Sequence, residues 1–219
     1  MKQLKAPVIS NAHLSGEYWL IEVDAPEIAL PLAPGQFVNI RCSGQTAPFL
    51  RRPFSVFRTD RDAGRLQVAY KVIGEGTQLM TRLRRGDLCD LTGPFGKPFD
   101  LPSDAGHIAV VGRGIGIAAL PTLVDQAVDR GVAVSAFLSA RTPENLVGLD
   151  VFEALGCRVR IHCDGDSEVA MVTDHLIALA ETESLNAIYV CGSNRLIRAA
   201  HALAVRLGIP AQSAMEQHM

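Results

Sequence analysis

Residues 49–55 read FLRRPFS, so Arg51 and Arg52 interrupt an apolar run. A guanidinium in that position needs an anionic neighbour, and its planar fork suits a phosphate or a carboxylate. Phe54, Val56 and Phe57 favour a half-buried strand, and Pro53 confines that strand to an edge or a first position. A solvated arginine pair on an edge strand is the plain alternative. A second stretch, VVGRGIGIAALP at 110–121, places Gly112, Gly114 and Gly116 where a buried strand turns into a helix. Backbone N–H groups at such a turn attract anions, and glycine lets the chain approach a diphosphate closely. The spacing is G-x-G-x-G, not the dinucleotide fingerprint G-x-G-x-x-G. The strand that should end in an acid for the ribose ends instead in Ser139-Ala140-Arg141. Tight strand–helix packing is the alternative role of these glycines. A third feature is Cys191-Gly192, which closes the apolar run AIYVC. A cysteine there is ordinarily a small core residue.

Two kinds of sequence must position these residues. Up to about residue 100 the chain reads as short strands with Gly and Pro punctuation: Tyr18 to Ile21, GQFVNIRC, FSVF, RLQVAYKV and DLCDLTG. That pattern predicts a small antiparallel β-barrel or sandwich, with a short helix at about 76–83. After Pro102 the pattern changes. HIAVVG, VAVSAFLSA, CRVRIHC and AIYVCG read as strands, and a last short one is expected at 209–214. Between them lie helical periods over 120–128, 143–155, 168–181 and 194–207. Such alternation argues an α/β doubly wound parallel sheet. The expected domains are 1–102 and 103–219.

Composition narrows the function. The 219 residues are 48% hydrophobic with a net charge of −2, as for an ordinary globular chain without a polyanion-binding face. Nucleic acid is therefore not an expected partner. The basic run Arg82, Arg84, Arg85 reads as a solvated surface. No leader-like h-region and no apolar stretch of membrane-spanning length are seen, which favours a cytoplasmic setting. The five cysteines include no C-x-x-C, so neither a disulfide framework nor a zinc site is expected. His162, His175 and His201 read as surface or satisfied residues.

Taken together, the motifs resemble the ferredoxin–NADP reductase superfamily, a flavin barrel followed by a nicotinamide-binding domain. Arg52-Pro53-Phe54-Ser55 resembles its R-x-[YF]-[ST] flavin motif, and Gly74-Glu75-Gly76-Thr77 its second flavin-phosphate motif. GRGIGIAALP is similar to the G-G-G-x-G-x-A-P loop, with Arg113 replacing the middle glycine. Cys191-Gly192-Ser193 is similar to C-G-[PS]. Within the superfamily, FLRRPFS, YKVIGEGT, LTGPFG and SAMEQHM resemble most the electron-transfer subunits of class-B dihydroorotate dehydrogenase.

The resemblance implies FAD, with Arg52 on its pyrophosphate, Pro53 and Phe54 along the flavin and Ser55 near the atom that accepts hydride. It implies further flavin contacts from Ala69, Tyr70, Lys71, Gly76 and Thr77; Arg51 is left between a second phosphate contact and a surface charge. It places NAD(P)H, with NADH favoured, on Gly112, Arg113, Gly114, Ile115, Gly116, Ser139, Arg141, Cys191 and Gly192. Ser55, Cys191 and Glu216 become the candidate catalytic residues. The implied partner is a dihydroorotate dehydrogenase catalytic subunit in a heterotetramer serving pyrimidine synthesis. Related chains continue into a cysteine cluster for [2Fe–2S], whose spacing is absent from these 219 residues. Two other readings stay open: a free-standing NAD(P)H:flavin or oxygenase reductase, and a flavin-binding redox module without turnover.

Overall fold

The computed structural model describes residues 1–42, 48–165 and 171–214. Glu216 and the end of the SAMEQHM motif lie outside the described residues. The chain divides into two compact units, Met1–Pro98 and Phe99–Met219. Phe99 and Leu101, which the sequence pattern places in the first domain, pack in the core of the second. Phe99 meets Tyr189 edge-on at 5.4 Å, and the Tyr189 hydroxyl donates to the Asp100 carbonyl at 2.7 Å.

The first unit runs β1 (Lys2–Ser15), β2 (Tyr18–Asp24), α1 (Pro26–Ala29), β3 (Phe37–Arg41), β4 (Arg52–Ser55), β5 (Arg58–Asp60), β6 (Arg65–Lys71), α2 (Glu75–Met80) and β7 (Leu88–Phe95). Its antiparallel sheet has the order β4-β3-β7-β1-β2-β6-β5. Phe54 on β4 meets Tyr70 on β6 edge-on at 6.2 Å, so the curled sheet brings its two ends together around Ile21, Val38, Ile40, Leu66 and Leu91. The sequence pattern misses β1, the longest strand, because Lys2, Lys5, Asn11 and His13 dilute its apolar alternation. Its ladders with β2 and β7 supply what local propensity does not. Helix α2 is shorter than expected, ending at Met80.

The second unit runs β8 (His107–Arg113), a 3₁₀ turn (Gly114–Ala119), α3 (Pro121–Asp129), β9 (Ala133–Ala140), a 3₁₀ turn (Pro143–Asn145), α4 (Leu149–Ala154), β10 (Arg158–Cys163), α5 (Val172–Thr182), β11 (Ala187–Cys191), α6 (Asn194–Leu207) and β12 (Ala211–Ala214). The parallel order is β10-β9-β8-β11-β12. Successive residues of β8 feed opposite cores: Ile108 and Val110 join one, Ala109 and Val111 the other. That double burial is why HIAVVG is apolar throughout. The expected helix over 143–155 is broken, because Gly148 adopts a left-handed φ of 69° and α4 starts only after it. No helix among the described residues is long and apolar enough to cross a membrane.

A polar knot closes the edge of the sheet where the strands begin. Arg158 grips Glu183 with two bonds of 2.6 and 2.7 Å and donates to His107 Nε2 at 3.0 Å. Because arginine only donates, Nε2 must be the bare nitrogen, which puts the ring proton on Nδ1, 3.6 Å from Glu183. Burial lowers the His107 pKa below its ordinary value, and the charge of Arg158 lowers it further. The folded chain therefore resists a proton that the unfolded chain accepts below about pH 6.5. Stability is expected to be full above that pH and to fall as pH drops toward the lowered value. Thermal unfolding followed from pH 8 to pH 5 checks this; His107→Gln should flatten that part of the profile.

Candidate functional site

In the first unit the two arginines of the opening motif take different paths. β4 pairs only with β3, with Ile40 opposite Arg52, Val38 opposite Phe54 and Phe37 opposite Ser55. An end strand tolerates Pro53, since its missing N–H faces no neighbour. Arg51 turns onto Asp90: Nη2 lies 2.7 Å from Oδ1, and Nη1 donates to the Asp90 carbonyl at 3.0 Å. It forms a half-buried ion pair and is not a solvated surface charge. Arg52 stays exposed, with Nη1 donating to the carbonyls of Leu50 and Arg51 at 3.1 and 3.4 Å. These bonds preset a guanidinium at the surface beside half-buried Phe54 and Ser55.

The turn before α2 completes this region. The Thr77 hydroxyl donates to the Gly74 carbonyl at 3.0 Å and accepts from the N–H groups of Ile73 and Gly74 at 3.1 and 3.3 Å. Thr77 thus shapes the turn, and the first-turn N–H groups of α2 are left for an outside acceptor. A Cβ on Gly76 would lie 3.2 Å from Cys42 Cβ and 3.4 Å from Pro48 Cγ, so glycine lets the turn settle onto that segment. The neighbouring strand residues expected at the flavin have partners within the fold. Tyr70 and Ala69 are buried, and burial pushes the Tyr70 hydroxyl well above its usual pKa. That hydroxyl donates to Asn11 Oδ1 at 3.0 Å, while Asn11 Nδ2 donates to the carbonyls of Met80 and Leu83. Tyr70 and Asn11 therefore anchor the end of α2. Lys71 pairs with Glu17 at 2.9 Å. Asn11 has no local signal, because its partners lie 59 to 72 residues away. An exposed guanidinium and a glycine-lined turn suit a pyrophosphate, which Arg52, Gly76 and the first-turn N–H groups would hold.

In the second unit, the chain enters at the central strand β8, proceeds outward to β9 and β10, then returns to β11 on the other side. The switch point therefore lies between the ends of β8 and β11, where open α/β sheets bind ligands beyond the strand termini. Cys191 pairs with Gly112 there. The three glycines have packing reasons of their own. A Cβ on Gly112 would meet Ile117 at 2.8 Å, and one on Gly116 would lie 2.9 Å from the backbone of Cys191 and Gly192. Gly114 has φ 55° and Gly192 φ 144°, with a Gly192 Cβ 3.0 Å from Arg113. The turn after β8 is thereby seated on the turn after β11, at the switch point where open α/β sheets bind ligands.

Around that edge the residues expected at the coenzyme are placed as follows. Ser139 is buried, and its hydroxyl donates to the Gly112 carbonyl at 3.3 Å. It braces the turn from below. Cys191 is buried at the end of β11, and Arg141 is exposed past the end of β9. Arg113 Nη2 binds both carboxylate oxygens of Asp164 at 2.9 and 2.8 Å. Asp164 follows β10, so this pair spans the end of β9, where Arg113, Ser139 and His162 stand in one row. No acid ends β9; the carboxylate standing near that end is Asp164, which follows β10. Nothing local announces it, since Asp164 lies 51 residues from Arg113. His162 is neither exposed nor satisfied: it is 7% exposed, and its Nδ1 has no partner among the described residues. His201 Nε2 is likewise shielded and unpartnered among them, whereas Arg82, Arg84 and Arg85 are exposed. None of the five cysteines is in a disulfide, and the described residues contain no group of three or more His, Cys, Asp or Glu able to hold a metal.

The oxidoreductase FAD-binding domain family matches residues 5–99. The electron transfer subunit of dihydroorotate dehydrogenase B (NAD(+)) from Geobacillus thermodenitrificans is 31% identical, over 88% of this chain and 75% of its own length. The chain belongs to that electron-transfer-subunit family. The corresponding subunit from Desulforamulus reducens is 29% identical over 100% of this chain and 84% of its own. Its fold is that of an NADH-dependent reduced ferredoxin–NADP oxidoreductase studied for flavin-based electron bifurcation: TM-score 0.84, 23% identity, 99% of this chain and 78% of that one. Phthalate dioxygenase reductase shares it at TM-score 0.75 and 20% identity, over 99% of this chain and 70% of that one. As a member of the electron-transfer-subunit family, the chain is an FAD-binding oxidoreductase that works with a pyridine nucleotide.

Proposed function

We propose that this chain takes electrons from NADH onto FAD and passes them to a dihydroorotate dehydrogenase catalytic subunit. The observation that carries the reading is the Gly112–Gly116 turn seated on Cys191–Gly192 at the switch point, in a chain whose first unit is a flavin-binding barrel. Bound FAD supplies the hydride-accepting and single-electron chemistry. The chain's own residues bind and orient. Arg52 and the Gly76 turn would hold the flavin pyrophosphate, and Phe54 and Ser55 would contact the flavin, Ser55 through its hydroxyl. Gly112 to Gly116 take the coenzyme diphosphate on backbone N–H groups, while Cys191 and Gly192 wall the nicotinamide. No step is assigned to an iron–sulfur centre. The reading is tested by supplying reconstituted protein with NADH and a dihydroorotate dehydrogenase catalytic subunit, then following orotate reduction. Dihydroorotate formed only when both proteins are present supports the reading; flavin that NADH reduces but the catalytic subunit never reoxidises sinks the partner.

The preference for NADH rests on Asp164. With the diphosphate on the glycine turn, the adenosine ribose extends over the ends of β9 and β10, toward the Arg113–Asp164 pair. A carboxylate there accepts from ribose hydroxyls and repels a 2′-phosphate. Asp164→Asn removes that charge and releases Arg113. The ratio of kcat/KM for NADPH over NADH, measured with ferricyanide, should rise at least tenfold, or about 1.4 kcal/mol. An unchanged ratio would reduce Asp164 to an anchor for Arg113.

A further inference from the structure

The barrel core holds two thiols that the proposed chemistry does not use. β3 and β7 pair with Ile40 opposite Leu91 and Arg41 opposite Asp90. One step further along that register, Cys42 falls opposite Cys89. Side chains alternate along a strand, and buried Ile40 and Leu91 mark the inner face that Cys42 and Cys89 share. Both thiols are buried and free. Opposed residues of an antiparallel pair keep their Cα atoms about 4.5–5.5 Å apart, within the roughly 4.4–6.8 Å that a disulfide spans. Cys42 also belongs to the flavin-phosphate region, since its Sγ would lie 3.4 Å from a Cβ on Gly76. Burial raises the Cys42 pKa, and the charge of Arg52 pulls it back. Burial, then the nearness of Cys42, push Cys89 up to about 12, so Cys42 is the better nucleophile of the two.

We propose that Cys42 and Cys89 form a peroxide-sensitive dithiol whose closure to a cross-strand disulfide loosens the flavin. The Cys42 thiolate attacks hydrogen peroxide, the O–O bond breaks, and after proton uptake the products are Cys42 sulfenic acid and water. The Cys89 sulfur then displaces that hydroxyl, which leaves as a second water as the S–S bond forms. Two electrons pass from the thiols to the peroxide, and a dithiol reductant reverses the change. The bond draws Cys42 Sγ toward β7 and out from under the Gly76 turn, which loses its footing. The bond itself is independent of the flavin assignment; only its effect on flavin release rests on the reading above.

The test exposes the FAD-loaded protein to hydrogen peroxide, blocks remaining thiols with iodoacetamide and maps peptides without reductant. The expected product joins the Cys42 and Cys89 peptides at two hydrogens less than their sum. FAD should then dissociate at least fivefold faster, and dithiothreitol should restore the original rate. In Cys89→Ser the sulfenic acid has no resolving thiol, so dimedone should label Cys42. Cys157→Ser, which removes a half-exposed thiol elsewhere, should respond as the parent does. Oxidation at Cys157 with no joined peptide overturns the dithiol. A joined peptide with unchanged FAD release overturns the switch and leaves the flavin assignment standing.

Discussion

Gly116→Ala is expected to cripple coenzyme oxidation while leaving FAD content at the parent's level. The added Cβ would lie 2.9 Å from the Cys191 carbonyl carbon and the Gly192 nitrogen, which are backbone atoms that cannot swing aside. Forced overpacking of this kind costs about 1–3 kcal/mol. It also lifts the Gly112–Gly116 turn off the end of β11, and displacement of a binding turn by a fraction of an ångström costs rate steeply. The expected result is a second unit that unfolds several degrees earlier and a kcat/KM for NADH reduced about a hundredfold, roughly 2.7 kcal/mol. Differential scanning calorimetry and steady-state ferricyanide reduction read the two effects separately. A variant with parental kcat/KM would remove the turn from the coenzyme site.

Arg52→Ala is expected to weaken FAD binding about ten- to a hundredfold, as befits loss of a charge-assisted contact of about 1.5–3 kcal/mol. The exposed guanidinium and its bonds to the Leu50 and Arg51 carbonyls leave little for the fold to lose. Unfolding of the apoprotein should therefore barely change, which separates this variant from Arg51→Ala. Arg51 holds Asp90 across the barrel at 2.7 Å, so its removal should destabilise the apoprotein and alter FAD affinity less. Fluorescence titration of apoprotein with FAD, beside urea unfolding, distinguishes the pair. Equal FAD affinity in Arg52→Ala and the parent would end the assignment.

The sequence was most legible where one residue's environment is set by its neighbours in the chain. β8 announces itself because each of Ile108, Ala109, Val110 and Val111 is buried, so every position must be apolar. The strand–turn–helix grammar around Gly112 follows from the same cause. Legibility fails where tertiary partners decide. β1 carries too few apolar residues to show an alternation, yet two ladders hold it. Arg51 and Arg52 are indistinguishable in sequence, and only the position of Asp90 tells the structural arginine from the exposed one. The fingerprint places an acid at the end of the second strand, whereas the carboxylate near that end, Asp164, follows the third. The motif containing Tyr70 does not announce that its hydroxyl donates to Asn11, whose amide in turn holds the Met80 carbonyl at the end of α2. His162 shows the converse failure, a residue dismissed as ordinary that proves buried with Nδ1 unpartnered among the described residues.

The account turns on hydride reaching flavin in this chain alone, before any partner takes part. Protein reconstituted with FAD and freed of oxygen is titrated with NADH while flavin absorbance is followed. One equivalent of NADH should bleach one equivalent of FAD, and Asp164→Asn should bleach as completely but lose its preference against NADPH. Flavin that stays oxidised under excess NADH and excess NADPH, in protein shown to bind FAD, would contradict the account.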